Sequence, residues 1–446
     1  MTAESASGST EVPVATPAPA APTASATPTA PPAPEAPEAT RLTWHDGDAV
    51  HSARWLGSGP VPARCVVVDD SLTAKEAYRL ATGGTAMLWT GDYHNARQLL
   101  GALGRRIPVP RTPRAADGVA AHGVAAPGGE GHSGTPAAAA AASTTTETAS
   151  RFYRLRQARA HRSRLLATLL VPLEPGPGPR PGSGPGPAVA LRRAPDVAMA
   201  WSNAHGPVDD ASVVPLQDLL GVLGAQQWRE RGVLVPALGA TIHPHYGTFA
   251  PVRGEYLDLV ATAPLPPTAT AFDIGTGTGV IAAILARRGL GHVTATDLSA
   301  RVIACAGDNL TRLGLADRVH LEVADMFPAG RAGLVVCNPP WLPGSAATLL
   351  DQAVYDPKSR MLRAFLSGLP SHLEHDGEGW LVLSDLAEHL GLRSRGELMD
   401  WIAAAGLRVV DRLDTRPTHR RAVDAGDPFH AARSAETTSL WRLAVA

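Results

Sequence analysis

Residues 272–289, "FDIGTGTGVIAAILARRG", decide the fold. A short apolar run ends in a loop with glycine at alternate positions, Gly275, Gly277 and Gly279, and a helical pattern starts directly behind it. Glycine lets the backbone turn sharply and come close to a ligand, and amides at the helix start face whatever sits there. Gly289 supplies the helix stop. The next strand, "HVTATD" (292–297), ends in Asp297, 20 residues beyond Gly277. A carboxylate there can accept hydrogen bonds from both hydroxyls of a ribose, so strand, loop, helix and acid together fit an adenosine cofactor.

Outward from this unit, β-rich runs alternate with helical patterns, the signature of a mostly parallel sheet with helices on both faces. "SARVIACAGDNLTRLG" reads as a helix with Ser299 as N-cap and Gly314 past its end. "RVHLEV" and "GLVVC" are strands three and four. A helix through about 350–372, the strand "GWLVLS" (379–384), a helix through about 386–405 and two closing strands, "LRVVDRL" and "TSLWRLAV", follow. The expected fold class is α/β, a seven-stranded doubly wound sheet with its last strand antiparallel, because no helix intervenes between the final two strands.

The loop alone leaves the cofactor open. "GTGVIA" (277–282) also satisfies the dinucleotide pattern G-x-G-x-x-A with an acid at the right distance, which permits a nicotinamide-dependent oxidoreductase. Two residues favour S-adenosylmethionine. Asp273, before the loop, is placed to orient the cofactor's charged methionine end, and Asp325, after strand three, is placed to meet the adenine amino group. A non-catalytic binding protein on this scaffold is disfavoured, since glycine loop and ribose acid are both intact.

Strand four runs into Asn338-Pro339-Pro340-Trp341 at its carboxyl end, where ligands bind in open α/β sheets. Proline donates no ladder hydrogen bond and forces its predecessor into an extended conformation, so the two prolines end the strand and fix the local backbone. An asparagine carbonyl oxygen and a fixed backbone carbonyl can accept both hydrogens of a planar NH2 group. That pull draws the nitrogen lone pair out of conjugation and toward a methyl donor. Trp341 offers a flat face for stacking the target plane.

"FDIGTGTG", Asp297, "ADMF" (324–327) and "VVCNPPW" together resemble the class I S-adenosylmethionine-dependent methyltransferases, within them the small-domain group that modifies amino or amide nitrogens. Release-factor glutamine, ribosomal RNA guanine-N2 and adenine-N6 methyltransferases belong to that group. The resemblance covers about residues 240–446. It implies that Asp273, Gly275, Thr276, Gly277 and Gly279 line the methionine end of the cofactor, Asp297 and Leu298 the ribose, and Asp325 and Met326 the adenine. By the same resemblance Asn338, Pro339, Pro340 and Trp341 take the target nitrogen, Asn338 also bordering the cofactor. "HPHYGTFAPVRGEYLDLV" (243–260) resembles the F-x-P…E stretch before strand one, which makes Phe249, Pro251 and Glu255 pocket residues. The substrate the resemblance implies is a base in nucleic acid, RNA in particular, with a protein glutamine as the alternative. Glutamine enzymes of this group carry tyrosine at the position of Trp341, and ribosomal RNA guanine enzymes favour phenylalanine.

Upstream of about residue 240 the chain is less legible. "RCVVVDD" and "TAMLWTGD" read as buried strands, and "NARQLLGALGRR" has helical apolar spacing at Ala96, Leu99, Leu100 and Leu103. No glycine loop accompanies them. The expectation is a divergent, smaller α/β domain over 41–240 with a scaffold or substrate-docking role, followed by the catalytic domain at 241–446. Residues 1–40, about 111–150 and 174–187 are Ala/Pro/Thr- or Gly-rich and lack apolar periodicity, so they read as a disordered tail and loop insertions.

A formal charge of −1 argues against a nucleic-acid coat or a membrane binder over the chain as a whole. "RFYRLRQARAHRSR" (151–164) is the local exception: six arginines beside two aromatics would suit phosphate and base contacts of an RNA, the alternative being a solvated helix face. The start of the chain lacks a basic and apolar leader pattern, which leads to the expectation of a soluble, cytoplasmic protein. Cys65, Cys305 and Cys337 lie far apart in apolar surroundings and read as core. His243 and His245 are divided by Pro244 and no ligand spacing completes them, so no metal is expected.

Overall fold

The computed structural model describes residues 40–108, 136–176, 186–418 and 423–446. Apart from Thr40, the tail expected over 1–40 lies outside the described residues, as does the 111–135 part of the first insert. Two seven-stranded sheets organise the rest.

The first sheet comprises β1 (Arg41–Asp46), β2 (Ala49–Trp55), β3 (Cys65–Val68), β4 (Ala86–Trp89), β5 (Leu169–Gly176), β6 (Gly186–Val189) and β7 (Ser212–Pro215), in the order β1-β2-β7-β5-β4-β3 with β6 on β5. Its helices are α1 (Ala74–Thr82), α2 (Tyr93–Arg106), α3 (Pro136–Leu166), α4 (Ala198–His205) and α5 (Leu216–Arg231). The expected spacing of α2 holds, with Ala96, Leu99, Leu100 and Leu103 all buried. Strands β3, β4 and β5 are parallel. Asp70 accepts hydrogen bonds from the Asp92 amide (3.0 Å) and from Asn95 Nδ2 (2.9 Å). A Cβ on Gly91 would meet Asp70 at 2.7 Å, so side chains fill the space a cofactor would need.

A hairpin of β8 (Val233–Val235) and β9 (Ala240–Ile242) leads through α6 (Glu255–Thr262) into the second sheet. That sheet contains β10 (Thr270–Ile274), β11 (His292–Asp297), β12 (Val319–Val323), β13 (Ala332–Cys337), β14 (Leu373–Ser384), β15 (Leu407–Thr415) and β16 (Thr438–Val445). Its order is β12-β11-β10-β13-β14-β16-β15, parallel through β14, with β16 antiparallel to both neighbours. This is the expected doubly wound sheet. Helix α7 (Val280–Arg287) is apolar all round because it is buried between sheet and neighbouring helices, whereas α8 (Ala300–Arg312) buries one face only.

Several expectations need correction. The first insert is not loop throughout: residues 136–150 form the start of α3, consistent with the alanine run, since alanine has the highest helix propensity. In the second insert, residues 174–176 and 186–187 pair as β5 and β6. The helix expected at 350–372 is two, α9 (Leu349–Gln352) and α10 (Arg360–His372). Pro357 disfavours helix at Asp356, whose buried carboxylate caps the restart by accepting from the Met361 and Leu362 amides. The helix expected at 386–405 likewise splits into α11 (Leu386–His389) and α12 (Arg395–Ala404). Gly391, at φ +68, turns the chain, and Ser394 with Glu397 forms a new capping box. Ser299 occupies the N-cap position of α8 without a side-chain capping bond. Cys65 is half-buried rather than core. A short helix, α13 (His430–Ala435), lies between the last two strands.

Phe365 of α10 is fully buried against β13 and β14 side chains and stacks on Phe327, with ring centroids 6.0 Å apart. Phe365→Ala is expected to destabilise the chain by about 3–5 kcal/mol. Urea titration should show a lower midpoint with an unchanged slope.

Candidate functional site

β10 and β13 run side by side, Ile274 opposite Cys337, and the sheet order reverses between them: β10 to β12 build one way, β13 to β16 the other. Open α/β sheets bind ligands at the carboxyl ends of strands at such a point. A cavity of about 1090 Å³ opens here. Ligand pockets typically measure about 300–1,000 Å³, so there is room for a cofactor together with part of a substrate.

The β10–α7 loop borders the cavity through Gly275, Thr276 and Gly277. All three loop glycines have positive φ, from +57 to +80. At Gly277 nothing lies within 4 Å of where a Cβ would stand, so the bare backbone faces open space. Gly279 differs. It leaves the cavity wall and packs on α8, where an added Cβ would meet Ala306 at 3.2 Å. Asn309, buried on α8, donates from Nδ2 to the Thr278 carbonyl and braces the loop from behind.

Asp273 also lies behind the wall. Its Oδ2 accepts from Thr276 Oγ1 (2.6 Å) and from the Ala282 amide (3.0 Å), tying both ends of the loop together. Its Oδ1 is buried without a hydrogen-bond partner. Asp297 does line the cavity, accepting from the Ser299 amide (3.1 Å) and weakly from the Gly277 amide (3.4 Å). Burial raises its carboxyl above the usual range. Leu298, Asp325 and Met326 complete this end of the cavity. Met326 holds φ +81, and its carbonyl accepts from Thr296 Oγ1.

At the end of β13, Asn338, Pro339, Pro340 and Trp341 all line the same cavity. Trp341 Nε1 donates to Asn338 Oδ1 at 2.9 Å, so the indole sets the direction of the carboxamide. The Arg253 guanidinium lies 4.8 Å from the indole centroid, and Tyr256 meets the ring edge-on at 6.2 Å. Arg253 is held by Glu255 (2.9 Å) and by the fully buried Glu436 (2.9 Å), which in turn accepts from Ser384 Oγ (2.6 Å).

Phe249 and Pro251 border the cavity as expected, whereas Glu255 does not; it orients Arg253 instead. The Asp385 carboxylate, outside the cavity lining, accepts from the Thr437 amide at 2.7 Å. Residues 416–418 follow β15 at the cavity edge of the sheet, since Thr415 pairs with Thr438 and Thr438 with Ser384. His243 bonds through Nδ1 to the Arg229 carbonyl, and His245 pairs with Asp308 at 3.0 Å. Sequence reasoning missed Arg253, Tyr256 and Arg159 as cavity-lining residues. The first two lie inside the quoted 243–260 stretch, but nothing in the sequence around Arg159 links it to a loop more than 100 positions away.

Burial pushes the Asp273 carboxyl from 3.8 up to about 6, against the lowering pull of Thr276 and Ala282, with the charge of Asp297 adding to the rise. The folded chain thus binds this proton more tightly than the unfolded one, and stability from this group falls as pH rises through that window. Melting temperature measured across the window should fall in the parent, and the fall should be smaller in Asp273→Asn.

Residues 257–395 match the family described as methyltransferase small domain. A release factor glutamine methyltransferase from Cereibacter sphaeroides is 33% identical over 190 residues, covering 40% of this chain and 66% of that protein. A tRNA1(Val) (adenine(37)-N6)-methyltransferase from Cytophaga hutchinsonii is 29% identical over 133 residues, covering 28% of this chain and 56% of that protein. The chain thus spans less than two thirds of the length of these relatives. Among solved structures, a ribosomal protein L11 methylase from Lactobacillus delbrueckii subsp. bulgaricus is 18% identical with a TM-score of 0.30, covering 44% of this chain and 81% of that one. A glycine loop, a ribose-distance acid and an Asn-Pro-Pro-Trp segment thus converge on one cavity, and most of the region that builds it, residues 257–395, is similar to the methyltransferase small domain.

Proposed function

We propose that this chain transfers a methyl group from S-adenosylmethionine to a planar amino or amide nitrogen, with a base in nucleic acid as the target. One observation carries the reading. Asn338, its carboxamide oriented by Trp341, stands in the same cavity as Asp297 and the bare backbone of Gly277.

The residues present fit the cofactor. Gly277 admits close approach of a flat or polar group, Asp297 can accept from ribose hydroxyls, and the unpartnered Asp273 Oδ1 keeps negative potential behind the loop. S-adenosylmethionine supplies a methyl group on a cationic sulfur, which needs no general acid on the protein. The task left to the chain is to hold a poor nucleophile and localise its lone pair. Asn338 Oδ1 has two acceptor sites, and Trp341 Nε1 uses one. The second, together with the Pro339 carbonyl, can accept the hydrogens of the target nitrogen, pulling the group out of conjugation and along the line of transfer. Tyr256 is fully buried beside Asn338, and burial pushes its hydroxyl up, so it stays neutral.

A protein glutamine is the second reading, favoured by the 33% identity to a release factor glutamine methyltransferase. An amide NH2 presents the same two hydrogens to the same acceptors. Comparing methylated nucleosides and methylglutamine between a deletion strain and its parent separates the two: loss of a methylated nucleoside is expected, and loss of methylglutamine alone would overturn the nucleic-acid assignment. Asn338→Ala should leave S-adenosylmethionine affinity within a few-fold by calorimetry. Its turnover should fall about a hundredfold, the scale of losing a preorganised hydrogen-bonding group at a reacting centre.

A further inference from the structure

Helix α3 packs beside the cavity of the second sheet and ends in the core of the first. Phe152, Leu155, Arg156 and Arg159 follow the i, i+3, i+4, i+7 spacing that shares one helix face. Phe152 and Leu155 are buried with Leu342, Leu386, Leu390 and Phe429 in a cluster beside the Asn-Pro-Pro-Trp segment. Arg156 places its guanidinium 3.3 Å from the centroid of the Tyr355 ring and donates from Nη2 to the Ser345 carbonyl at 2.6 Å. Tyr355 bridges to Leu342, the residue directly after Trp341. Farther along the helix, Leu165 is buried in the core of the first sheet. One helix is therefore anchored at both sheets.

The last member of that face, Arg159, lines the cavity and is exposed. Five arginines and two aspartates line this cavity. Arg253 and Arg433 have carboxylate partners, whereas Arg159, Arg301 and Arg360 have no ion pair among the described residues and stand exposed around the mouth. Cations left unneutralised at a site are suited to an anionic group on the incoming molecule.

We infer that α3 completes the substrate side of the site, with Arg159 binding a backbone phosphate of a single-stranded nucleic acid whose base enters the cavity. This rests on the methyltransferase reading and deepens it. Arg156 is a positioning residue, holding the 342–355 stretch against which the strand lies. A glutamine loop presented by a folded protein carries no regular row of anions for Arg159, Arg301 and Arg360 to meet, which is why a nucleic acid is preferred.

The test uses the full chain and a short fluorescein-labelled single-stranded RNA, with affinity followed by anisotropy over a series of KCl concentrations. The parent should bind more weakly as salt rises. Arg159→Gln should lose about tenfold in affinity, the scale of one hydrogen bond to a charged group, and flatten the slope of log K against log salt by about 0.7, one phosphate on a single strand. Arg159→Lys should recover most of the slope. Unchanged affinity and slope in Arg159→Gln would overturn the inference, as would a parent that binds no RNA yet methylates a glutamine-bearing protein. S-adenosylmethionine affinity is read on the same samples by calorimetry: its absence would sink the methyltransferase reading, while the RNA titration would still decide the role of Arg159.

Discussion

The parallel pairing of β10 with β13 is the constraint on which the site depends. Because Ile274 lies opposite Cys337, the glycine loop leaving one strand and the asparagine leaving the other emerge side by side. Neighbouring strands are only about 4.8 Å apart, so under the proposed function a cofactor at the loop would lie within reach of a group bound by Asn338. Any shift in this register would separate donor and acceptor while leaving each motif intact. The pairing is secured by burial: Leu334, Val335, Val336 and Cys337 of β13 are entirely inaccessible.

Around this centre, charged residues are used to orient rather than to stabilise. Arg253 is gripped by Glu255 and Glu436, and Glu436 by Ser384, so elements from three parts of the sequence meet under the Trp341 ring. Burying such a network contributes little net stability, because desolvation offsets the attraction. Its geometric effect is clearer: the ring it supports donates to Asn338 and fixes which way the carboxamide oxygen points. The loop is handled the same way, with Asp273 bonded to Thr276 and Ala282 and Asn309 holding Thr278.

The two sheets share a parallel core pattern and differ in what stands above it. In the second, glycines with positive φ leave the strand ends open; in the first, Asp70 and Asp92 close them with their own hydrogen bonds, and Asp92 pairs with Arg193. The first sheet's link to the site is the helix it contributes. Helix α3 carries aromatic and basic residues to the cavity mouth from a stretch that composition alone marked as an insert with a charged end.

How much of this was readable follows from the range of the interactions. The strand, loop and helix of 270–287, the acid at 297 and the segment at 338–341 are local: each depends on a φ, a proline or a strand end that its own neighbours set. So the fold class was legible, and most of the residues expected at the site do line the cavity, among them Gly275, Gly277, Asp297, Asp325, Asn338 and Trp341. Residues whose function depends on a distant partner were misread. Glu255 was expected in the pocket but turns to Arg253, and Gly279 serves the contact with Ala306. Sequence by itself determined a glycine-looped, doubly wound sheet with a proline-ended strand beside the loop, because short-range backbone sterics dictate those features. Tertiary structure alone decided that α3 reaches the mouth of the cavity and which acid restrains which arginine, because those contacts join residues up to 189 positions apart and leave no periodic trace in the chain.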